Sequence, residues 1–481
     1  MTLKIYNTLT RKKENFKPVT KKELKIYVCG VTVYDDVHIG HALSYIYYDI
    51  LINYFKHFHN YDIFYVRNIT DVGHLTEDDL EEDKIEKRAK ERKYHHPMEL
   101  VQKYTRNMWE AFDKLKLTRP NVEPLASAHI IEMQSWIKKM LNNGFAYEVN
   151  GNVYYDISKF KDYGVFSKKN IEELEKNTRF TNDPDKRHAS DFALWIKAND
   201  NHILKWDSPW SVGYPGWHLE CSTMGCKYLG ENFDIHGGGI EHVFPHHQNE
   251  IAQNFGYYQH KVVNYWVHTS MLMVEGKKMG KSLGNFITIK DFLKDNSAEN
   301  LRYLVTTGHY RKPQNYTKKA VEDAENTIKK LNAFIKRLQN VDNTSESKLA
   351  EPIIENTIFN FSKAMDDDLN TPMALSEIHF LVKEINKLIE KNSITTQQAK
   401  RILEFLIKVN LVFKFLSFKS QEDDSCKKPQ IPREEILNLI EKRKKLRKEK
   451  KWEEADQIRV KLSQKGIVLY DNKDETTWTQ E

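Results

Sequence analysis

The sequence predicts an α/β protein: a doubly wound parallel sheet broken by an insertion, then an α-helical bundle and a small C-terminal domain. Three observations predict it. Strand-length apolar runs alternate with helix-periodic segments over residues 1–125 and 201–265, as chains of βαβ units do. From Ala320 to Phe418 glycine and proline nearly vanish, and Ile378, Leu381, Val382, Ile385 and Leu388 recur at helical spacing. Gln421–Pro432 is polar, with prolines at 429 and 432, and reads as a linker. At 481 residues with 40% hydrophobic and 12% aromatic content, the chain can build a substantial core in about two to four domains.

Taken in order, Lys25–Cys29 reads as the first strand. Ile39, Leu43, Ile46, Ile50 and Tyr54 mark the helix after it, and Tyr61–Ile69 is the next strand. The acidic connection Val72–Lys84 is expected to be a solvated loop. Residues 126–200 form an insertion that includes the polar stretch Lys176–Lys186. The sheet resumes over 201–265, and Asn264–His268 supplies another strand. Residues 266–319 carry a Gly-punctuated loop, 320–418 the bundle and 433–481 the terminal domain.

Two motifs describe a split site for the phosphates of a nucleotide. His38-Ile39-Gly40-His41 opens the first helix, where unpaired backbone N–H groups and the positive dipole end favour an anion. His38 and His41 share a face at i and i+3, and Gly40 lets the nucleotide approach the backbone. Lys278-Met279-Gly280-Lys281-Ser282 lies in a loop able to carry ammonium groups onto a leaving pyrophosphate. Lys281 is the leading candidate there, with Lys278 beside it.

Cys29, Cys221, His246 and Glu250 form a candidate Zn²⁺ set, since two thiolates, an imidazole and a carboxylate suit that ion. Pro245 fits a helix start, and the i, i+4 spacing projects His246 and Glu250 from one face, with His247 expected to point elsewhere. A metal at the floor of a pocket can bind a substrate thiolate. That would separate a thiol substrate from its hydroxyl counterpart, which an apolar pocket distinguishes by only about 1–3 kcal/mol.

Composition narrows the class. No segment approaches the ~18 apolar residues of a membrane span, and the start Met1–Asn7 lacks a signal peptide's apolar core. Four cysteines, two of them metal candidates, fit a reducing compartment, hence the cytoplasm. The net charge of +6 declares no nucleic-acid partner. Its distribution is more telling: Lys442–Lys451 is basic at every position except Leu446 and Glu449, a density suited to phosphate contacts or to a solvated helix. Trp452 and Trp478 nearby can stack on bases or serve a core.

The two signature motifs resemble those of class I aminoacyl-tRNA synthetases. The chain as a whole resembles the cysteinyl-tRNA synthetase family through Tyr27–Gly30, Thr32–Tyr34, Asn68–Asp71, Gly216–His218, Phe233–Gly239, Phe244–His247, Asn249–Glu250, His309–Arg311, Met365–Thr371 and Ala455–Arg459. The resemblance implies a Rossmann-like catalytic domain and conversion of L-cysteine and Mg²⁺-ATP to cysteinyl-adenylate, followed by transfer to tRNA(Cys). It further implies one Zn²⁺ per chain, a stem-contact region at 266–319, tRNA contacts from the bundle and the C-terminal domain, and a monomer. By the same resemblance Gly30, Thr70, Trp217 and His218 hold the amino acid, and Thr32, His38, Gly40, His41, Gly237, Gly239, Glu241 and Lys281 hold ATP.

Departures are Gly280 for a usual Ser, Val31 for Pro, Leu43 for Arg, Glu241 for Asp and Gln248 for an acidic residue. Two rival readings share these motifs: a ligase passing cysteine to an amino sugar, and a non-catalytic RNA-binding descendant.

Overall fold

A computed structural model describes residues 2–72, 75–76, 79–169, 183–280, 283–418, 433–449, 451–464, 467–471 and 476–480. Lys281, Ser282, residues 176–182 of the polar stretch and the linker Gln421–Pro432 lie outside the described residues. The chain divides into two compact units, Met1–Leu416 and Ser417–Glu481.

At the centre of the first unit is a four-stranded parallel sheet in the order Val263–Thr269, Phe233–Gly239, Glu23–Thr32, Asp62–Thr70. Leu24, Ile26, Tyr27 and Val28 are all buried, because a parallel strand is covered on both faces. The chain order reverses between Glu23–Thr32 and Phe233–Gly239, so the crevice beyond their C-terminal ends is where such sheets bind ligands.

The helix Ile39–His59 follows the first strand, capped by His38 and ended by Asn60 at φ 53°. It is buried almost all round, which a helix enclosed on both sides requires. Within it, Asp49 accepts from Arg302 at 2.6 Å and Lys414 at 2.8 Å. Arg302 also donates to the Leu115 and Phe413 carbonyls, so one buried charge network fastens the helix to the far end of the bundle.

The insertion is built on an antiparallel sheet of Ala146–Val149, Asn152–Tyr155, Phe192–Lys197 and Gly213–Pro215. It therefore runs past residue 200, where the sequence placed its end. Gly213 makes this possible: a Cβ there would lie 2.1 Å from the Ile196 carbonyl oxygen.

Four long helices, Lys318–Gln339, Glu351–Asp366, Thr371–Glu390 and Thr396–Phe413, form the bundle. Val321, Ala324, Ile328, Leu331, Ile335 and Leu338 supply its first buried stripe. The second unit holds helices Arg433–Lys448 and Trp452–Gln464 and an antiparallel pair, Ile467–Asp471 with Thr476–Gln480. Lys442–Lys448 of the basic run thus form the end of the first of these helices, and Trp452 is 56% exposed. Among the described residues no helix is long and apolar enough to cross a membrane.

Candidate active site

His38 and His41 cap the first helix reciprocally. The Nδ1 of each accepts the backbone N–H of the other at 3.3 Å, and their rings stack 3.6 Å apart. With Nδ1 occupied as an acceptor, a neutral ring carries its proton on Nε2. Burial, then the neighbouring His38, pushes the His41 pKa well down, so its ring is neutral and offers an Nε2–H to the cavity.

The described part of the second motif, Lys278–Gly280, lies beside the first helix, with the Met279 methyl against Gly40. Leu272–Val274 and Lys277–Lys278 form a hairpin, and Asn285 closes the base of the loop by accepting from Gly280 N at 2.9 Å and donating to the Lys278 carbonyl at 3.1 Å. The next segment is bonded to the first motif: Ile39 N donates to Ile287 O at 3.1 Å and Ile289 N to Val37 O at 2.9 Å. Phe286 sits edge-on to the His38 ring at 5.2 Å. A Cβ on Gly40 would lie 2.9 Å from His38 Nδ1 and 3.1 Å from the Met279 methyl, which accounts for glycine between the histidines.

A cavity of about 330 Å³ opens at the switch point. Gly30, Thr32, His38, His41, Thr70, Trp217, Gly239 and Glu241 line it, and Cys29, Cys221 and His246 lie at its floor. Lys278 is exposed on the hairpin, and Gly40, His218, Gly237 and Glu250 stand back from the wall. Gly237 faces the Tyr48 ring, where a Cβ would come within 2.5 Å, while Gly238 and Gly239 reach the cavity. Gly30 is pressed onto the neighbouring strand, its N–H donating to Asn68 Oδ1 at 2.7 Å.

At the floor, Cys29 Sγ lies 3.8 Å from Cys221 Sγ. Cys29, His246, His247 and Glu250 each present a donor atom within 4.8 Å of the others. His247 therefore does not point elsewhere: its Nε2 is 3.0 Å from Cys29 Sγ and its Nδ1 is 2.8 Å from His268 Nε2. The strand bearing Cys29 passes close to the first helical turn, and His268 holds the ring in the gap.

His236 Nε2 holds Glu250 Oε2 at 2.7 Å, whereas Oε1, fully buried, makes no well-aligned hydrogen bond and lies 3.1 Å from His246 Nε2 and 3.8 Å from His247 Nε2. Burial pushes the Cys29 and Cys221 thiols and the Glu250 carboxyl up. It pushes His218 and His236 down to about 3 and His247 well down. A buried set of soft and hard donors fits a divalent cation, whose charge would bring the thiol and carboxyl pKa values back down and hold the imidazoles neutral.

Residues 15–326 match the family of tRNA synthetases class I (C) catalytic domain, 360–417 the DALR domain, and 433–478 the cysteinyl-tRNA ligase anticodon binding domain. The chain is 42% identical over 483 residues to the cysteine–tRNA ligase of Chlorobium chlorochromatii, covering 100% of this chain and 99% of that one. The chain belongs to the cysteine–tRNA ligase family. It is likewise 41% identical over 490 residues to that ligase of Thermococcus gammatolerans, covering 99% of each.

Solved structures share the fold of this family at low identity. Mycobacterium tuberculosis methionyl-tRNA synthetase in complex with methionyl-adenylate gives a TM-score of 0.60 at 14% identity, over 81% of this chain and 89% of that one. The LeuRS of Agrobacterium radiobacter K84 gives 0.61 at 11%, over 83% and 84%.

Several residues of the site were not singled out from the sequence. Asn285, Phe286, His236 and His268 act by clasping the loop or the metal donors, and His236 was visible only as part of the Phe233–Gly239 motif. Glu220, fully buried, accepts from Thr70 Oγ1 at 2.8 Å. It is adjacent in sequence to Cys221, but only the fold shows that it faces Thr70.

Proposed function

We propose that the chain activates L-cysteine with ATP to cysteinyl-adenylate and transfers the cysteinyl group to tRNA(Cys). The observation that carries this reading is one cavity lined by the capped histidine pair, by Phe286 just after the lysine loop, and by Cys29, Cys221 and His246.

In the first step a cysteine carboxylate oxygen attacks the α-phosphorus, and the bond to the β-phosphate bridging oxygen breaks to release pyrophosphate. His38 and His41 donate Nε2–H to the phosphates, Lys281 neutralises the charge that grows on the leaving group, and Lys278 supports it. Thr32, Gly239 and Glu241 hold the nucleotide, and Mg²⁺ enters with ATP. Gly40 and Gly237 serve by leaving room for His38 and Tyr48. In the second step the terminal ribose hydroxyl of tRNA attacks the cysteinyl carbonyl and AMP leaves.

Cys29, Cys221, His246 and Glu250 are proposed to hold one Zn²⁺ per chain. The first three line the cavity and Glu250 supplies Oε1, 3.1 Å from His246 Nε2, whereas His247 is held between His268 and the Cys29 sulfur, orienting that ligand. When bound, the metal provides a site for the substrate thiolate. Thr70 and Trp217 wall the amino acid, Gly30 approaches it through backbone, and His218 steadies His246 through a 3.0 Å Nδ1–Nδ1 contact.

The chain is proposed to act as a cytoplasmic monomer: one copy supplies the whole cavity, and the described cysteines are free thiols. The amino-sugar ligase leaves the basic terminal helix and exposed Trp452 without a role, and the non-catalytic reading leaves the intact phosphate and metal sets without one. Pyrophosphate exchange with each amino acid, then charging of bulk tRNA, tests the proposal. Exchange specific to cysteine with charging supports it; exchange without charging supports the sugar ligase, and no exchange the RNA-binding descendant.

A further inference from the structure

The turn between the second and third bundle helices carries a carboxylate that no step above uses. Asp368 is fully buried. Its Oδ1 accepts from Tyr6 N at 2.8 Å and from the Tyr310 hydroxyl at 2.5 Å, and its Oδ2 accepts from Arg311 Nε at 2.8 Å with His309 Nε2 3.7 Å away. Its own N–H donates to the Lys4 carbonyl at 3.0 Å. Asp368 and Leu369 both have positive φ, 68° and 51°. Two successive residues with side chains in that region are costly, and bulky Leu369 especially so; such a turn persists only where its surroundings over-determine it.

What this turn grips leads to the lysine loop. Gly308, next to the held His309–Arg311 segment, receives Thr371 Oγ1 at 2.8 Å and Tyr47 OH at 2.9 Å. Tyr310 O accepts from Ser270 N at 2.7 Å, and the strand Gln314–Tyr316 pairs with Leu272–Val274. That strand in turn pairs with Lys277–Lys278, the stem of the loop. The chain of contacts is continuous: bundle turn, Asp368, residues 308–311, the three-stranded ribbon, Lys277–Lys278. Asp368 is not among the residues that line the cavity.

We propose that Asp368 is a positioning residue for adenylate formation, holding the ribbon that aims the lysine loop at pyrophosphate and linking that loop to the bundle. The inference rests on the role given above to Lys281. Because charge on the leaving group grows only in the transition state, a misaimed loop lowers the turnover rate and leaves ground-state binding of ATP and cysteine nearly unchanged.

The test is a double-mutant cycle in the full-length protein, read by pyrophosphate exchange. Asp368→Asn removes the carboxylate charge opposite Arg311, and the cycle pairs it with Lys281→Ala. Asp368→Asn is expected to lower kcat about tenfold with KM for ATP and cysteine within about twofold, and to have almost no further effect once Lys281 is gone, since coupled residues are not additive. A full tenfold effect in the Lys281→Ala background, or an unchanged kcat, overturns the proposal. If Asp368→Asn does not fold, Tyr310→Phe, which deletes one hydroxyl of the same clasp, enters the same cycle under the same criteria. An inert Lys281→Ala by itself overturns the loop reading and the inference with it, so the two failures are told apart.

Discussion

Replacing His41 with Ala separates the structural role of the first motif from its chemical one. The ring does two things here. Its Nδ1 accepts the His38 N–H as half of a reciprocal cap, and its Nε2 faces the cavity. Losing a cap costs about 1 kcal/mol of stability. Losing a preorganised donor to developing charge costs on the order of 10²–10³ in rate, equivalent to about 2.7–4 kcal/mol. Thermal or urea unfolding reads the first and pyrophosphate exchange the second.

His41→Gln sharpens the comparison, because glutamine at the third helical position restores a capping box. Stability should return, while the rate stays well below that of the intact enzyme. A His41→Ala protein destabilised by about 1 kcal/mol but unimpaired in exchange would refute the reasoning and leave the motif a helix cap.

Other outcomes follow from the same structure. Asp49→Ala should destabilise the first unit by about 3–5 kcal/mol in urea unfolding, because it leaves Arg302 buried and unpaired. Burial pushes the Asp49 carboxyl up, yet Arg302 and Lys414 more than offset this and hold its pKa below the usual value. The stability it contributes is therefore present above the ordinary carboxylate range and lost as pH falls through the lowered value, so the gap between intact and Asp49→Asn proteins should narrow below about pH 4. A gap constant with pH would contradict this. Ending the chain near Ser420 should spare cysteine-dependent exchange, raise the KM for tRNA and flatten the salt dependence of tRNA binding, because phosphate contacts that release counterions are removed. Charging unaffected by the truncation at any salt concentration would make the terminal unit irrelevant to RNA.

Much of the site was legible because its chemistry is local. His-x-x-His at a helix start fixes a cap, a face and a glycine at once, and the i, i+4 pair His246 and Glu250 follows from helical spacing. The parallel strands were legible because burial on both faces leaves unbroken apolar runs. What escaped depends on contacts between distant segments. His247 comes to lie against Cys29 because His268, on another strand, holds its ring there. The reach of the insertion to Gly213–Pro215 depends on pairing with Phe192–Lys197, and a three-residue strand has no period to read. Asp368 lay inside a quoted motif, but its clasp on Tyr6, Tyr310 and Arg311 joins residues far apart in the chain.

The most direct test of the central claim is the ratio of kcat/KM for cysteine over serine in pyrophosphate exchange, measured for the intact enzyme and for Cys221→Ser. If a thiolate site on the cavity floor selects the substrate, the intact ratio should exceed by orders of magnitude the 10- to 200-fold, roughly, that an apolar pocket gives. In Cys221→Ser it should fall toward that range. An intact ratio already within it, or one that Cys221→Ser leaves unchanged, would contradict the account.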